Sequence, residues 1–329
     1  MKHPYLMFLG DVPDQLGAKT AQGIKDWRPE WCVGQMRLDG CQADLDLDDI
    51  SLEEAVRRGV KTMVIGIVNS GGFLPNHWTA KIVEAMSLGM DIASGLHIKL
   101  GSIPELATAA EKYGCEMFDV RHPTEDLPTG KGTSRGGKRL LAVGTDCSVG
   151  KMYTTLAVEK EMRKRGMNAD FRATGQTGIF IAGEGISIDA VVADFISGAV
   201  EVLSPDNSDD HWDIIEGQGS LFHPSFAGVS MGLLHGAQAD ALILCHEPTR
   251  THMRGLPHQP LPDIQDCMDM NLQAAKLTNP AAQFVGISIN TSGLSEEEGD
   301  SLLAELEQKY GLPTVDAYRT GVAKIVDNL

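Results

Sequence analysis

Eight consecutive residues, Gly144-Thr145-Asp146-Cys147-Ser148-Val149-Gly150-Lys151, combine two glycines, small hydroxyls and a lysine at a spacing suited to holding phosphate. A strand pattern over 139–143 leads into them, and a helical pattern over 151–165 leads out. A strand that turns through glycine into a helix aims free backbone N–H groups at one spot, where the helix dipole adds positive potential. Lys151 at the helix start reaches the same anion, and a glycine at 150 keeps the approach clear of a side chain. The spacing departs from that of a nucleotide-hydrolysing loop. Five residues rather than four lie between the framing glycines, so the usual alignment puts Thr145 on the first glycine position. Met152 stands where Ser or Thr would hold magnesium, and Thr154 and Thr155 come two and three positions late. The expectation is a phosphate cradle built from Gly144 to Met152, with no metal ion required and nucleotide hydrolysis disfavoured.

Further candidates stand at predicted strand ends, where open α/β sheets bind their ligands. Glu216 closes a strand and opens Glu216-Gly217-Gln218-Gly219-Ser220; it suits a metal ligand, a general base or the anchor of its turn. His246, in His246-Glu247-Pro248-Thr249-Arg250, is a second candidate base, since imidazole titrates near neutrality. Asp189 and Asp194 flank an apolar stretch; either caps a helix, or one serves as a base or ammonium partner. Thr174-Gly175-Gln176-Thr177-Gly178 reads as a substrate loop, with Gln176 and Thr177 as contacts, or as a plain turn. Arg172, Arg250 and Arg254 can each grip a carboxylate in a bidentate fork. Asn290-Thr291 either reads a purine base or caps a turn. Asn69-Ser70-Gly71-Gly72 and Ser94-Gly95-Leu96-His97 are candidates to close over the site from the first half of the chain.

The elements that must position these residues follow from apolar patterning. Strands are expected at 5–9, 62–68, 91–94 and 115–120, with helices at 79–88 and 104–113, and this alternation is that of a parallel α/β sheet. Residues 128–138 (PTGKGTSRGGK) lack apolar periodicity and read as a linker or exposed loop. Beyond it, strands are expected at 139–143, 190–192, 212–215, 239–244, 284–289 and 314–316, with helices at 151–165, 264–277 and 295–309. The organisation predicted is an α/β chain of two domains, with residues 1–130 Rossmann-like, 131–138 a linker, and 139–329 a doubly wound parallel sheet carrying the phosphate loop.

Composition narrows the partners. A formal net charge of -17 argues against nucleic acid and anionic membrane as partners, without arguing against a small anion in a local pocket. Six cysteines without any Cys-x-x-Cys pair argue against a disulfide framework or structural zinc. No signal-peptide pattern and no membrane-length apolar run is present, so a cytoplasmic location is expected, and apolar patches around 179–202 suit a homo-oligomer.

From about residue 139 the chain resembles the superfamily of dethiobiotin synthetase and the cobyrinic acid amide synthetases, through the 144–151 loop and Glu216-Gly217-Gln218-Gly219. Over its whole length, with GTDCSVGKM, RATGQTG, EGQGS and HEPTR in this order, it is similar to a narrower family once known only as a domain of unknown function. That family includes D-glutamate N-acetyltransferases and pairs a Rossmann-like domain with a P-loop NTPase-like domain. The resemblance implies acetyl transfer from acetyl-CoA to the amine of an acidic amino acid, in D-glutamate breakdown. CoA phosphates would lie on the loop, Arg172, Arg250 and Arg254 would meet the substrate carboxylates, and Glu216, His246 or Asp194 would act as base. The superfamily resemblance leaves two other activities, an ATP- and magnesium-dependent carboxylate-amine ligase and a nucleotide-binding regulator without turnover.

Overall fold

A computed structural model describes residues 1–68, 72–123 and 126–329. The chain forms two compact units, one of Met1–Thr124 with Gln176–Ala190, the other of Glu125–Gly175 with Val191–Leu329. Asn69, Ser70 and Gly71 lie outside the described residues.

The first unit holds strands β1 (Tyr5–Gly10), β2 (Cys32–Arg37), β3 (Thr62–Ile65), β4 (Asp91–Ser94) and β5 (Met117–Asp119). They form a parallel sheet in the order β2-β1-β3-β4-β5. Helices α1 (Lys19–Trp27), α2 (Leu52–Arg57), α3 (Asn76–Ser87) and α4 (Pro104–Tyr113) link the strands. β1 and β3 are buried along their whole length, as strands covered on both faces must be. β2 was not expected from CVGQMR because of its polar residues. Gln35 is nevertheless fully buried there, its carboxamide donating to Asp44 at 2.9 Å and accepting from Leu45 N at 2.8 Å.

The second unit opens with β6 (Lys138–Gly144), helix α5 (Lys151–Lys164) and β7 (Ala169–Arg172). The chain then contributes α6 (Gln176–Ala182) to the first unit. It continues in the second through α7 (Ile196–Leu203), β8 (Trp212–Ile215), α8 (Ala227–Ala237), β9 (Ala241–His246), the short antiparallel pair β10 (His252–Met253) and β11 (Leu256–Pro260), and α9 (Ile264–Ala275). β12 (Gln283–Ile289), α10 (Glu296–Tyr310), β13 (Thr314–Val315) and α11 (Ala323–Val326) complete it. Its parallel sheet runs β13-β12-β9-β6-β8-β7, so β6 lies inside it with the phosphate loop at its carboxyl end. One layer of core joins Leu140, Ala142, Ile214, Ile243 and Val285 of the strands to Val158, Met162 and Ile325 of α5 and α11.

Two expectations need correction. Residues 190–192 are not a strand: Ile188–Ala190 is a 3-10 turn, and the exposed Val192 precedes a second turn at Ala193–Phe195. Gln176 and Thr177 are not loop residues but the first turn of α6, whose Ile179, Phe180 and Ile181 are buried. Residues 131–139 are tied down by hydrogen bonds. Lys131 N and Gly132 N donate to the Glu201 carboxylate, and the Arg135 guanidinium donates to carbonyls of Ser204, Gly236 and Ala237 at the ends of α7 and α8. One cation thereby satisfies the orphan carbonyls of two helix termini. Among the described residues no helix is long and apolar enough to cross a membrane.

Candidate active site

The loop from Gly144 to Lys151 turns through two left-handed residues, Ser148 (φ 53) and Gly150 (φ 101). Around it the backbones crowd. A Cβ on Gly217 would come within 1.7 Å of the Ala142 carbonyl oxygen, so only glycine fits after Glu216. Lys151 is buried, and its Nζ donates to the Asp146 carbonyl at 2.8 Å. Burial lowers its pKa, against the opposing pull of Cys147, Cys245 and Asp146. The nearby hydroxyls are turned inward. Thr154 Oγ1 donates to Gly150 O at 3.0 Å and meets Ser288 Oγ at 2.8 Å, while Thr155 Oγ1 donates to Lys151 O at 3.0 Å. Neither replaces the hydroxyl missing at Met152. Burial pushes the neighbouring Cys245 and Cys267 thiols up to about 11 and about 12, which keeps them protonated and inert.

Asp146 holds the outer side of the loop. Its Oδ1 accepts from Cys147 N at 2.7 Å, and its Oδ2 accepts from Arg250 Nη1 and from the Arg254 backbone N, both at 2.8 Å. Arg250 also donates to Cys147 O at 2.7 Å and Ser148 O at 2.8 Å, and pairs with Glu247 at 2.9 Å. By drawing the Cys147 and Ser148 carbonyls to itself, this guanidinium holds two acceptor oxygens on one side of the loop, while the Thr145 and Cys147 N–H groups donate to Cys245 O and Asp146 Oδ1. Arg254 lies in the turn between β10 and β11, where Gly255 (φ 77) makes the reversal, and its guanidinium donates to Ser148 Oγ. The sequence reading missed this hairpin and His223. His223 is buried, with Nδ1 accepting from Ser225 N at 3.2 Å and Nε2 at 3.3 Å from Arg254 O. Alternating residues around Arg254-Gly255 were a signal for the hairpin; a single histidine in a turn offered none.

Asp146, Cys147 and His223 bring ligand-type atoms within 4.8 Å of one another. Carboxylate, thiol and imidazole form a donor set that zinc accepts. The carboxylate here already fastens the hairpin to the loop, and the imidazole joins the same hairpin to the segment between β8 and α8.

The other predicted site residues divide. His246 stands at the end of β9 beside the loop, with Nδ1 2.9 Å from Thr145 Oγ1, and burial lowers its pKa so that the ring is neutral at neutral pH. Glu216 is buried at the end of β8 and accepts from Thr174 N at 2.9 Å and Gly175 N at 3.0 Å, the geometry of a turn anchor. Arg172 is paired with the buried Asp213 at 2.6 Å. Asp194 is exposed in the turn before α7. Gln176 and Thr177 belong to the first unit, where Thr177 Oγ1 donates to Thr20 Oγ1 at 3.2 Å. The arrangement around β6 and β9 thus offers an anion cradle, two cations and a neutral imidazole.

Comparison with known proteins agrees in both units. Residues 36–123 match a family described as a domain of unknown function with a Rossmann-like domain (DUF1611_N), and residues 127–326 match its P-loop domain (DUF1611_C). A D-glutamate N-acetyltransferase from Tritonibacter scottomollicae is 56% identical over 326 residues, covering 99% of this chain and 98% of that protein. Another from a Pseudoalteromonas species is 54% identical, covering 100% and 99%. The crystal structure of a DUF1611 family protein from Anabaena variabilis aligns with a TM-score of 0.89 at 30% identity, over 99% of both chains.

Proposed function

This chain belongs to the DUF1611 family, alongside the D-glutamate N-acetyltransferases, and on that premise we propose that it transfers the acetyl group of acetyl-CoA to the amine of D-glutamate. The observation that carries the reading is a phosphate loop with its lysine in place and its magnesium hydroxyl replaced by Met152. The pyrophosphate of CoA needs the N–H cradle and Lys151; thioester aminolysis needs neither a γ-phosphate nor magnesium. Arg254, at the hairpin turn beside Ser148, supplies a further cation for an anionic group.

In the reaction the amine nitrogen attacks the thioester carbonyl, the C–N bond forms, and the C–S bond breaks to release CoA. The amine sheds a proton on the way, and His246 is the proposed acceptor because burial keeps its imidazole unprotonated. That proton passes to the departing thiolate. Glu216 shapes the turn beside the loop through Thr174 and Gly175. The role fits the breakdown of D-glutamate, with a small acidic amino acid as the partner and no nucleic acid or membrane surface.

Thiol release from acetyl-CoA, followed with D-glutamate present or absent, tests the reading. Release that depends on D-glutamate and yields N-acetylglutamate supports it; folded protein that releases no CoA overturns it.

A further inference from the structure

We propose that the carboxyl edge of the second unit's sheet continues from the phosphate loop into a subsite for an adenine ring, built from Tyr318, Tyr153 and Asn290. The proposal rests on the acetyl-CoA reading and identifies what holds the nucleotide end of that donor. Tyr318 is 75% exposed, the most exposed of the large hydrophobic side chains among the described residues. Its ring meets that of Tyr153 edge-on, with centroids 6.0 Å apart and an interplanar angle of 63°. Tyr153 stands two residues beyond Lys151 on α5, so the ring pair is fixed to the helix that carries the phosphate loop.

The exposed ring sits on a rigid turn. The buried Asp316 accepts from Tyr318 N at 3.0 Å, Arg319 N at 2.9 Å and Thr291 N at 2.9 Å, and also from Thr291 Oγ1 at 2.6 Å. Burial alone would raise its pKa, but these hydrogen bonds together hold it below the usual carboxylate value. An aromatic ring in water on a locked backbone is an ordered platform, which is what base stacking requires.

Asn290 supplies the polar half. Its backbone N donates to His246 O at 2.8 Å, and its Oδ1 accepts from Ser292 N at 3.1 Å. Its carboxamide N–H pair has no partner among the described residues. A purine ring presents nitrogen acceptors to such a donor. The strands carrying these groups are neighbours in the order β13-β12-β9-β6, each about 4.8 Å from the next. Phosphate loop, imidazole, carboxamide and aromatic ring therefore follow one another along a single edge. An adenosine phosphate has matching chemistry along its own length, and both CoA and ADP carry it.

Calorimetric titration of the full chain with CoA, and separately with ADP, tests this. Replacing Tyr318 by alanine (Tyr318→Ala) is expected to weaken CoA binding about tenfold, and Tyr318→Phe to leave it within about twofold, because the stacking face is kept. If the wild type binds CoA and Tyr318→Ala binds it equally well, the subsite is overturned while the acetyl-CoA reading stands. If the wild type binds ADP but not CoA, and Tyr318→Ala loses ADP, the subsite stands and the donor assignment falls. Binding of neither nucleotide overturns both.

Discussion

The two parallel sheets of this chain use their carboxyl edges in opposite ways. In the first unit, Gly10 and Asp11 end β1 beneath the chain's own aromatic ring. A Cβ on Gly10 would come within 2.2 Å of Trp78, whose indole donates to Asp11 at 2.8 Å, with His77 joining the same carboxylate at 3.0 Å. In the second unit, the ring beside the end of β6 is a titratable one, the His246 imidazole, 2.9 Å from Thr145 Oγ1. The loop carbonyls of Cys147 and Ser148 are held by Arg250, and Lys151 Nζ donates to that of Asp146. A strand end in an open α/β sheet is thus a place where a ligand can bind, and the side chains above it decide whether one does.

Substitutions can break or sharpen this contrast. The largest expected effect is at the covered edge: Trp78→Ala removes a buried indole and its hydrogen bond, and should destabilise the first unit by about 4 kcal/mol in denaturant unfolding. A loss under about 1 kcal/mol would mean that the ring does not seal the edge. Lys151→Met should do the reverse, weakening CoA binding roughly 100-fold in a titration without lowering stability, because burial already disfavours the lysine's charge in the folded chain. Gly217→Ala drives a Cβ against the Ala142 carbonyl and should cost about 2 kcal/mol of stability in the second unit.

The smallest effect is the titration of His246. Its folded pKa lies below the ordinary 6.5, so the unfolded chain takes up the proton first. This group's contribution to stability is therefore complete above 6.5 and is lost as pH falls through the folded value. If His246 is the base, the acid limb of kcat/KM should fall below pH 6.5 and should be flattened in His246→Asn. A limb at or above 6.5 would point to another base.

Much of the second unit could be read in the sequence because its local signals agree with its packing. β6 carries the apolar run Leu140-Leu141-Ala142-Val143, and α10 begins at a Ser295–Glu298 capping box and ends at Gly311 in the left-handed region. The phosphate loop was legible because glycine and lysine spacing reports backbone geometry directly. What escaped depended on partners distant in sequence. β2 hides behind Gln35, whose burial makes sense only once Asp44 and Leu45 are beside it. Arg250 looked like a substrate fork, and only the folded loop reveals it bound to Asp146, Cys147 and Ser148. Gln176 and Thr177 looked like a loop or turn because the glycines around them masked the apolar face of α6.

The claim that the loop from Gly144 to Lys151 holds the phosphates of the acetyl donor is tested most directly by shortening that donor. D-Glutamate-dependent thiol release should be compared with acetyl-CoA and with S-acetylpantetheine, which keeps the thioester and lacks the nucleotide. The account predicts that wild-type kcat/KM favours acetyl-CoA by about 100-fold or more, and that Lys151→Met removes most of that preference. Equal use of the two donors by the wild type would contradict it.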